Sequence, residues 1–334
     1  MAPHLGTPLR ERSDALADRA RRRPRHRPSR PLVIAHRGAS GYRPEHTLES
    51  YRLAAQLGAD YLEPDLVPTR DGVLVARHEN NLVGTTDVAV RPEFADRRTT
   101  KEIDGHPVTG WFTEDFTYAE LSTLRAVERL PLVRPGNVSH DGRYQVPTFD
   151  DVLQVAADES WRQGRTIGVA PETKHPAYFT SLGLAPEQAL VRSLERFGLS
   201  HREAPVLVQS FETDNLRLLG RMTPVALLQL VDLHQTERLT PSGLRAVSTY
   251  ARWIGPHKRL VTAEVCAEAH RAGLNVAAWT VRLENQFLPE RHRRGSDPHA
   301  AGDPAGETRD LVAAGVDAIF ADHPDLVAEA CHTV

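Results

Sequence analysis

The chain has two cysteines in 334 residues, Cys266 and Cys331. Two cannot build a disulfide scaffold; one bridge and two free thiols both stay open, and the redox compartment with them. No apolar run is long enough to span a membrane. No strong charge of one sign is present either: the formal net charge of -3 argues against a broad nucleic-acid-binding face. A secretory signal needs an apolar core after its basic start, and here "ARRRPRHRPSR" is followed only by "LVIA" before His36. The location expected from this chain is therefore cytoplasmic. What is present is the composition of a soluble globular protein, long enough for one large α/β domain or two ordinary ones.

The first thirty residues hold nine arginines, four prolines and three acids. They read as a solvated basic tail, residues 1–30, rather than as an anchor on anionic surfaces. From Leu32 onward short apolar runs alternate with helical patterns. "TLESYRLAAQLG" has helical spacing and closes at Gly58; Thr148 is a plausible N-cap for "FDDVLQVAADE". Nine strand candidates occur: "PLVIA", "YLEPDLV", "GVLVARH", "TIGVAPETK", "PVLVQSF", "VALLQL", "ARWIG", "LNVAAWTV" and "VDAIFAD". Alternating strands and helices imply a parallel sheet, and the expected fold is an α/β (β/α)8 TIM barrel spanning residues 31–330. "ARWIG", as short as any candidate and interrupted by an arginine, is set aside as the surplus one. A doubly wound open sheet is the alternative. The rhythm breaks between about residues 82 and 146, too long a stretch for a structureless connection. It reads as a small inserted subdomain after strand three, beside His78, expected to cover the mouth and limit the substrate. A second polar insert, "ENQFLPERHRRGSDPHAAGDPAG", follows "AAWTV".

Polar residues gather at the strand ends. Strand one delivers His36 and Arg37. Glu63 and Asp65, two apart, point to one side of strand two. The third candidate ends at His78 and Glu79; the fourth carries Glu172 and Lys174; the fifth Gln209 and Ser210; a later one Trp279. Singly, each has a plainer explanation. A lone His36 is more often a hydrogen-bonded structural histidine, Arg37 a surface cation, and Trp279 core packing. Together they are harder to dismiss. Three buried carboxylates without a counter-ion cost several kcal/mol, by order of magnitude. All-oxygen donors suit a hard ion, Mg²⁺ or Ca²⁺. Arg37 and Lys174 then imply an anionic substrate, with Arg matched to phosphate. Two histidines supply a base and an acid for phosphodiester cleavage.

With "HRG" at His36–Gly38, "PEHT" at Pro44–Thr47, "EPD" at Glu63–Asp65, His78, "ETK" at Glu172–Lys174, "QSF" at Gln209–Phe211 and "AWTV" at Ala278–Val281, the sequence resembles the glycerophosphodiester phosphodiesterases. It is most similar to the long, periplasmic-type bacterial form. The resemblance covers nearly all of Leu32–Ala330 and implies a barrel that hydrolyses small-molecule glycerophosphodiesters to glycerol 3-phosphate and an alcohol. It implies His36 as general base and His78 as general acid. Glu63, Asp65 and Glu172 would hold one divalent cation, Ca²⁺ in the long form, with Mg²⁺ the alternative. Arg37 and Lys174 would grip the phosphate, Trp279 would lie at the substrate, and Glu45 would orient His36 or Arg37 without touching the metal. It also implies attack by a substrate glycerol hydroxyl, giving a cyclic phosphate that water opens. A lysophospholipase D-like enzyme would use similar residues but would need an apolar rim, and both inserts are polar. The sequence departs from the family pattern in three places. Glu79 stands where aspartate is usual. "ADHP" replaces "TDYP", with His323 expected to be a loop residue without a catalytic part. The basic tail stands in place of the signal that an exported form carries.

Overall fold

The computed structural model describes residues 30–333. The expected basic tail lies outside the described residues except for Arg30, which pairs with Asp60 at 2.8 Å.

In chain order the strands are β1 (Leu32–His36), β2 (Tyr61–Glu63), β3 (Asp65–Pro68), β4 (Leu74–Ala76), β5 (Thr99–Ile103), β6 (His106–Gly110), β7 (Gly168–Val169), β8 (Glu172–Thr173), β9 (Leu207–Ser210), β10 (Ala226–Val231), β11 (Trp253–Pro256), β12 (Asn275–Val281) and β13 (Ala318–Ala321). Parallel pairing runs from β1 to β2, β2 to β7, β3 to β8, and then stepwise from β8 through β13. β13 returns to β1, so the ring closes. β2 with β3, and β7 with β8, are each one barrel strand broken at a proline, Pro64 and Pro171. Proline gives a ladder no N–H, but its carbonyl still accepts. Glu172 N–H donates to Pro64 O and Gln209 N–H to Pro171 O, both at 2.9 Å. Register therefore survives both breaks, and the eight strands form a (β/α)8 barrel.

Helices pack outside the ring. Leu48–Gln56 follows the first barrel strand and ends against Gly58, at φ +92°. Phe149–Gln163 starts at Thr148 with a reciprocal cap: Thr148 accepts from Asp151 N–H, and the Asp151 carboxylate accepts from Thr148 N–H. The barrel interior is apolar, with Ile34, Leu207, Leu228, Leu230 and Phe320 buried there. A larger core lies between strands and helices. Cys266 and Cys331 are both free and buried. Among the described residues no helix is long and apolar enough to cross a membrane.

Two segment assignments change. "ARWIG" supplies a barrel strand after all: β11 lies in register between β10 and β12. Its polar residue, Arg252, precedes the strand. "GVLVARH" does not supply one, because β4 runs antiparallel to β3. Only Thr69–Val73 separates them, and a parallel crossover needs a dozen or more residues. The insertion therefore leaves the barrel from a hairpin between the second and third barrel strands. Within it, β5 and β6 pair antiparallel. Their two-residue turn is Asp104–Gly105, at φ +50° and +78°, as a primed hairpin turn requires. A separate apolar cluster, including Val75, Leu82, Phe94, Trp111 and Phe116, lies beneath.

Candidate active site

Strand ends bring the expected groups to the C-terminal mouth of the barrel. β1 ends at His36, and the chain then turns sharply: Arg37 sits at φ +61° and Gly38 at φ +82°. A Cβ on Gly38 would lie 2.5 Å from Ser50 Oγ, so only glycine fits after Arg37. The turn folds the buried Arg37 back over the mouth. Its amide N–H donates to Glu63 Oε2 at 2.7 Å, and its Nη1 donates to both oxygens of Glu45 at 3.1 Å. Its Nε makes an ion pair with Asp65 Oδ2 at 3.2 Å. Burial opposes the charge, but Glu45, Asp65 and Glu63 outweigh it and raise the guanidinium pKa.

Glu63, Asp65 and Glu172 offer oxygens that all lie within 4.8 Å of one another, and all three residues are buried. The Pro64 break lets Glu63 and Asp65 converge. Glu63 Oε1 also accepts from Gln209 Nε2 at 3.0 Å. Asp65 Oδ2 meets His46 Nε2 at 2.9 Å, and Lys174 Nζ donates to Glu172 Oε1 at 2.9 Å. Burial, Asp65 and Glu172 push the Glu63 carboxyl well up. Burial pushes Glu172 to about 8, with Lys174 opposing and Asp65 adding. Asp65 is held well below its usual range: its burial is outweighed by Lys174, His46 and Arg37. Two of three carboxyls thus resist ionisation as they stand, while offering a compact, all-oxygen donor set. That set fits a hard divalent cation.

The two histidines stand in one cavity. His36 Nδ1 meets Asp322 Oδ1 at 2.6 Å. Burial and then Arg37 lower its pKa to about 4, against Asp322. His78 Nδ1 meets Glu79 Oε1 at 2.6 Å. Burial, Arg37 and Lys174 lower its pKa to about 3. The cavity encloses about 270 Å³, and its lining includes His36, Arg37, His78, Lys174, Trp279 and Phe211. Trp279 donates its Nε1–H to Gly255 O at 2.7 Å and presents an edge to Phe211. Glu45 lies behind Arg37 and also accepts from Arg129 Nε at 2.7 Å.

Several groups went unnoticed in the sequence. Asp322, directly after β13, anchors His36 and is itself held by Arg134 at 2.5 Å and Arg282 at 3.1 Å. An acid following the last strand, in phase with the other strand ends, was the available sign. Its neighbour His323 packs edge-on against Tyr42, with ring centroids 4.8 Å apart. A Cβ on Gly41 would meet that ring at 2.2 Å, which explains the glycine. His46 lies within "PEHT" but was given no role of its own, and the insertion's Arg129 and Arg134 had no sequence signal, because long-range contacts place them.

A closed (β/α)8 barrel whose mouth holds a carboxylate trio, a guanidinium, an ammonium and two imidazoles is built for an anionic ester. The sequence model of the glycerophosphoryl diester phosphodiesterase family matches residues 36–326, and the chain belongs to that family of hydrolases. Glycerophosphodiester phosphodiesterase GDPD6 of Arabidopsis thaliana is 35% identical over 78% of this chain and 77% of its own length. A glycerophosphodiester phosphodiesterase of Bacillus subtilis is 29% identical over 90% and 86%. In fold, an Oleispira antarctica phosphodiesterase solved with sn-glycerol-3-phosphate superposes at TM-score 0.65, with 22% identity over 90% of this chain and 96% of that one.

Proposed function

We propose that the protein hydrolyses glycerophosphodiesters to sn-glycerol 3-phosphate and an alcohol, by histidine acid–base chemistry beside a divalent cation. The observation that carries this is the gathering of His36, His78, Arg37 and Lys174 around the buried trio Glu63, Asp65 and Glu172 in one cavity. The trio would hold the ion, Ca²⁺ in preference to Mg²⁺ by family likeness, and a bound ion supplies positive charge for the phosphoryl oxygens. Arg37 and Lys174 bind the phosphate and offset charge as it develops. His36 is neutral at pH 7, as a base must be. Asp322 engages Nδ1 and so leaves Nε2 to take the proton of the attacking glycerol hydroxyl. Burial first, and then Arg37 and Lys174, make His78 lose its proton readily, and of these a bound phosphate offsets only the two cations. An incoming phosphate anion cancels those charges, which lets His78 carry the proton it gives to the departing alkoxide. Attack by the glycerol hydroxyl forms a cyclic phosphate as the alcohol leaves. Water then opens the ring with the two histidines in exchanged roles. We read residues of about 82–146 as a unit of this site, limiting the alcohol it accepts.

Product analysis on glycerophosphocholine tests the proposal. The expected products are glycerol 3-phosphate and choline. Phosphocholine and glycerol, or no turnover across glycerophosphocholine, glycerophosphoethanolamine and bulkier diesters, would sink it.

A further inference from the structure

Behind His78 the hydrogen-bonded line runs on, out of the cavity. Glu79 uses one oxygen for His78 Nδ1, at 2.6 Å. Its other oxygen meets His175 Nε2 at 3.2 Å, and His175 Nδ1 meets Asp104 Oδ2 at 2.7 Å. Three separate parts of the chain build this line. His78 and Glu79 follow β4, His175 follows β8, and Asp104 is the tip of the insertion's hairpin. His175 adopts left-handed backbone at φ +45°, whereas the φ of +50° at Asp104 is set by its hairpin turn. A non-glycine residue outside such a turn rarely does so, and these residues cluster where geometry serves function. A second cavity, of about 310 Å³, is lined by both of them and shares Glu172, Lys174, Phe211 and Asp232 with the first. The outer end of the line thus stands in the wall of the space beside the reacting groups.

Glu79 needs such help. Its side chain is 49% exposed, and a long glutamate side chain loses rotamer freedom when its carboxylate is held in one place. One partner does not fix it. His175 meets carboxylates with both ring nitrogens, and only the imidazolium can donate from both. Burial opposes that charge, but Glu79 and Asp104 raise the His175 pKa.

We propose that His175 and Asp104 are positioning residues for the leaving-group step: His175 aims Glu79 at His78, and Asp104, delivered by the insertion, aims His175. The proposal rests on His78 being the general acid. Asp104 is exposed and His175 largely buried; an ion pair with an exposed partner adds little to stability, so Asp104→Gly should leave the fold intact, and a thermal melt checks the fold of His175→Asn.

Steady-state rates on two esters test this, one with choline and one with 4-nitrophenol as the leaving group. The variants are His175→Asn and Asp104→Gly, residue types that tolerate left-handed backbone. We expect kcat on glycerophosphocholine to fall on the order of tenfold, part of the ~10²–10⁴-fold that general-acid assistance supplies. On the nitrophenyl ester, which needs little protonation to leave, kcat should stay within about twofold, with KM unchanged on both. Asp104→Asn keeps an acceptor oxygen and should stay nearer the parent enzyme. Equal losses on both esters, or no loss on either, overturn the proposal. His78→Ala in the same series separates the two levels. If it shows no selective loss on the choline ester, the acid assignment fails and the line with it. If it does and His175→Asn does not, only the line fails.

Discussion

At the residue scale, the site is a balance of buried charges. Arg37 answers three carboxylates, Asp322 is shared by His36, Arg134 and Arg282, and Lys174 sits between Glu172 and Asp65. Taking one partner from such a set leaves an uncompensated charge, which costs more than the pair contributed. The sequence named most of these residues because they fall at strand ends in one phase. Asp322 stands beside the more conspicuous His323, and His46, a buried histidine inside a loop, has no periodicity to mark it. Glu172 carries a pH prediction. Its carboxyl titrates near 4.5 when unfolded and near 8 in the folded, metal-free protein, chiefly through burial. With the folded value raised, the stability it contributes is full below about pH 4.5 and is lost as pH rises through about 8. Thermal melts in chelator should therefore fall over that window, and Glu172→Gln, which cannot ionise, should flatten the fall. Parallel curves for the two proteins would contradict this.

At the element scale, ion pairs tie the insertion to residues around the barrel mouth. Arg129 reaches Glu45 behind Arg37, Arg134 reaches Asp322 behind His36, and Asp104 reaches His175. Arg134 also pairs with Glu284 of the second insert at 2.7 Å and donates to Ser40 O at 3.0 Å, tying both inserts to the first barrel loop. Arg134→Ala would strand the buried Asp322 and Glu284. A loss of roughly 3–5 kcal/mol in denaturant unfolding is expected, from breaking a buried ion-pair network. A change below about 1 kcal/mol would show that Arg282 alone suffices for Asp322. Periodicity revealed most barrel strands. β4 was misassigned because a short apolar run looks alike whether it pairs parallel or antiparallel, and β11 because Arg252, which precedes the strand, made its run look polar. The five-residue link from β3 to β4 held the information, through the length a crossover needs.

At the scale of the whole molecule, closure of the ring is what brings distant residues together. His36 and Asp322 are 286 positions apart in sequence and 2.6 Å apart in space, because β13 pairs with β1. Strand alternation made the barrel readable before its pairing was known, whereas the contacts that bind the insertion to the mouth depend on tertiary packing alone. The central claim is that the buried carboxylates serve phosphodiester hydrolysis by holding a divalent cation. The most direct measurement is glycerol 3-phosphate release from glycerophosphocholine by protein stripped with EDTA, with metal content determined on the same sample. The account predicts that stripping abolishes turnover, that Ca²⁺ or Mg²⁺ restores it, and that neither ion restores it in Glu63→Gln or Glu172→Gln. Full turnover by protein shown to be free of metal would contradict it.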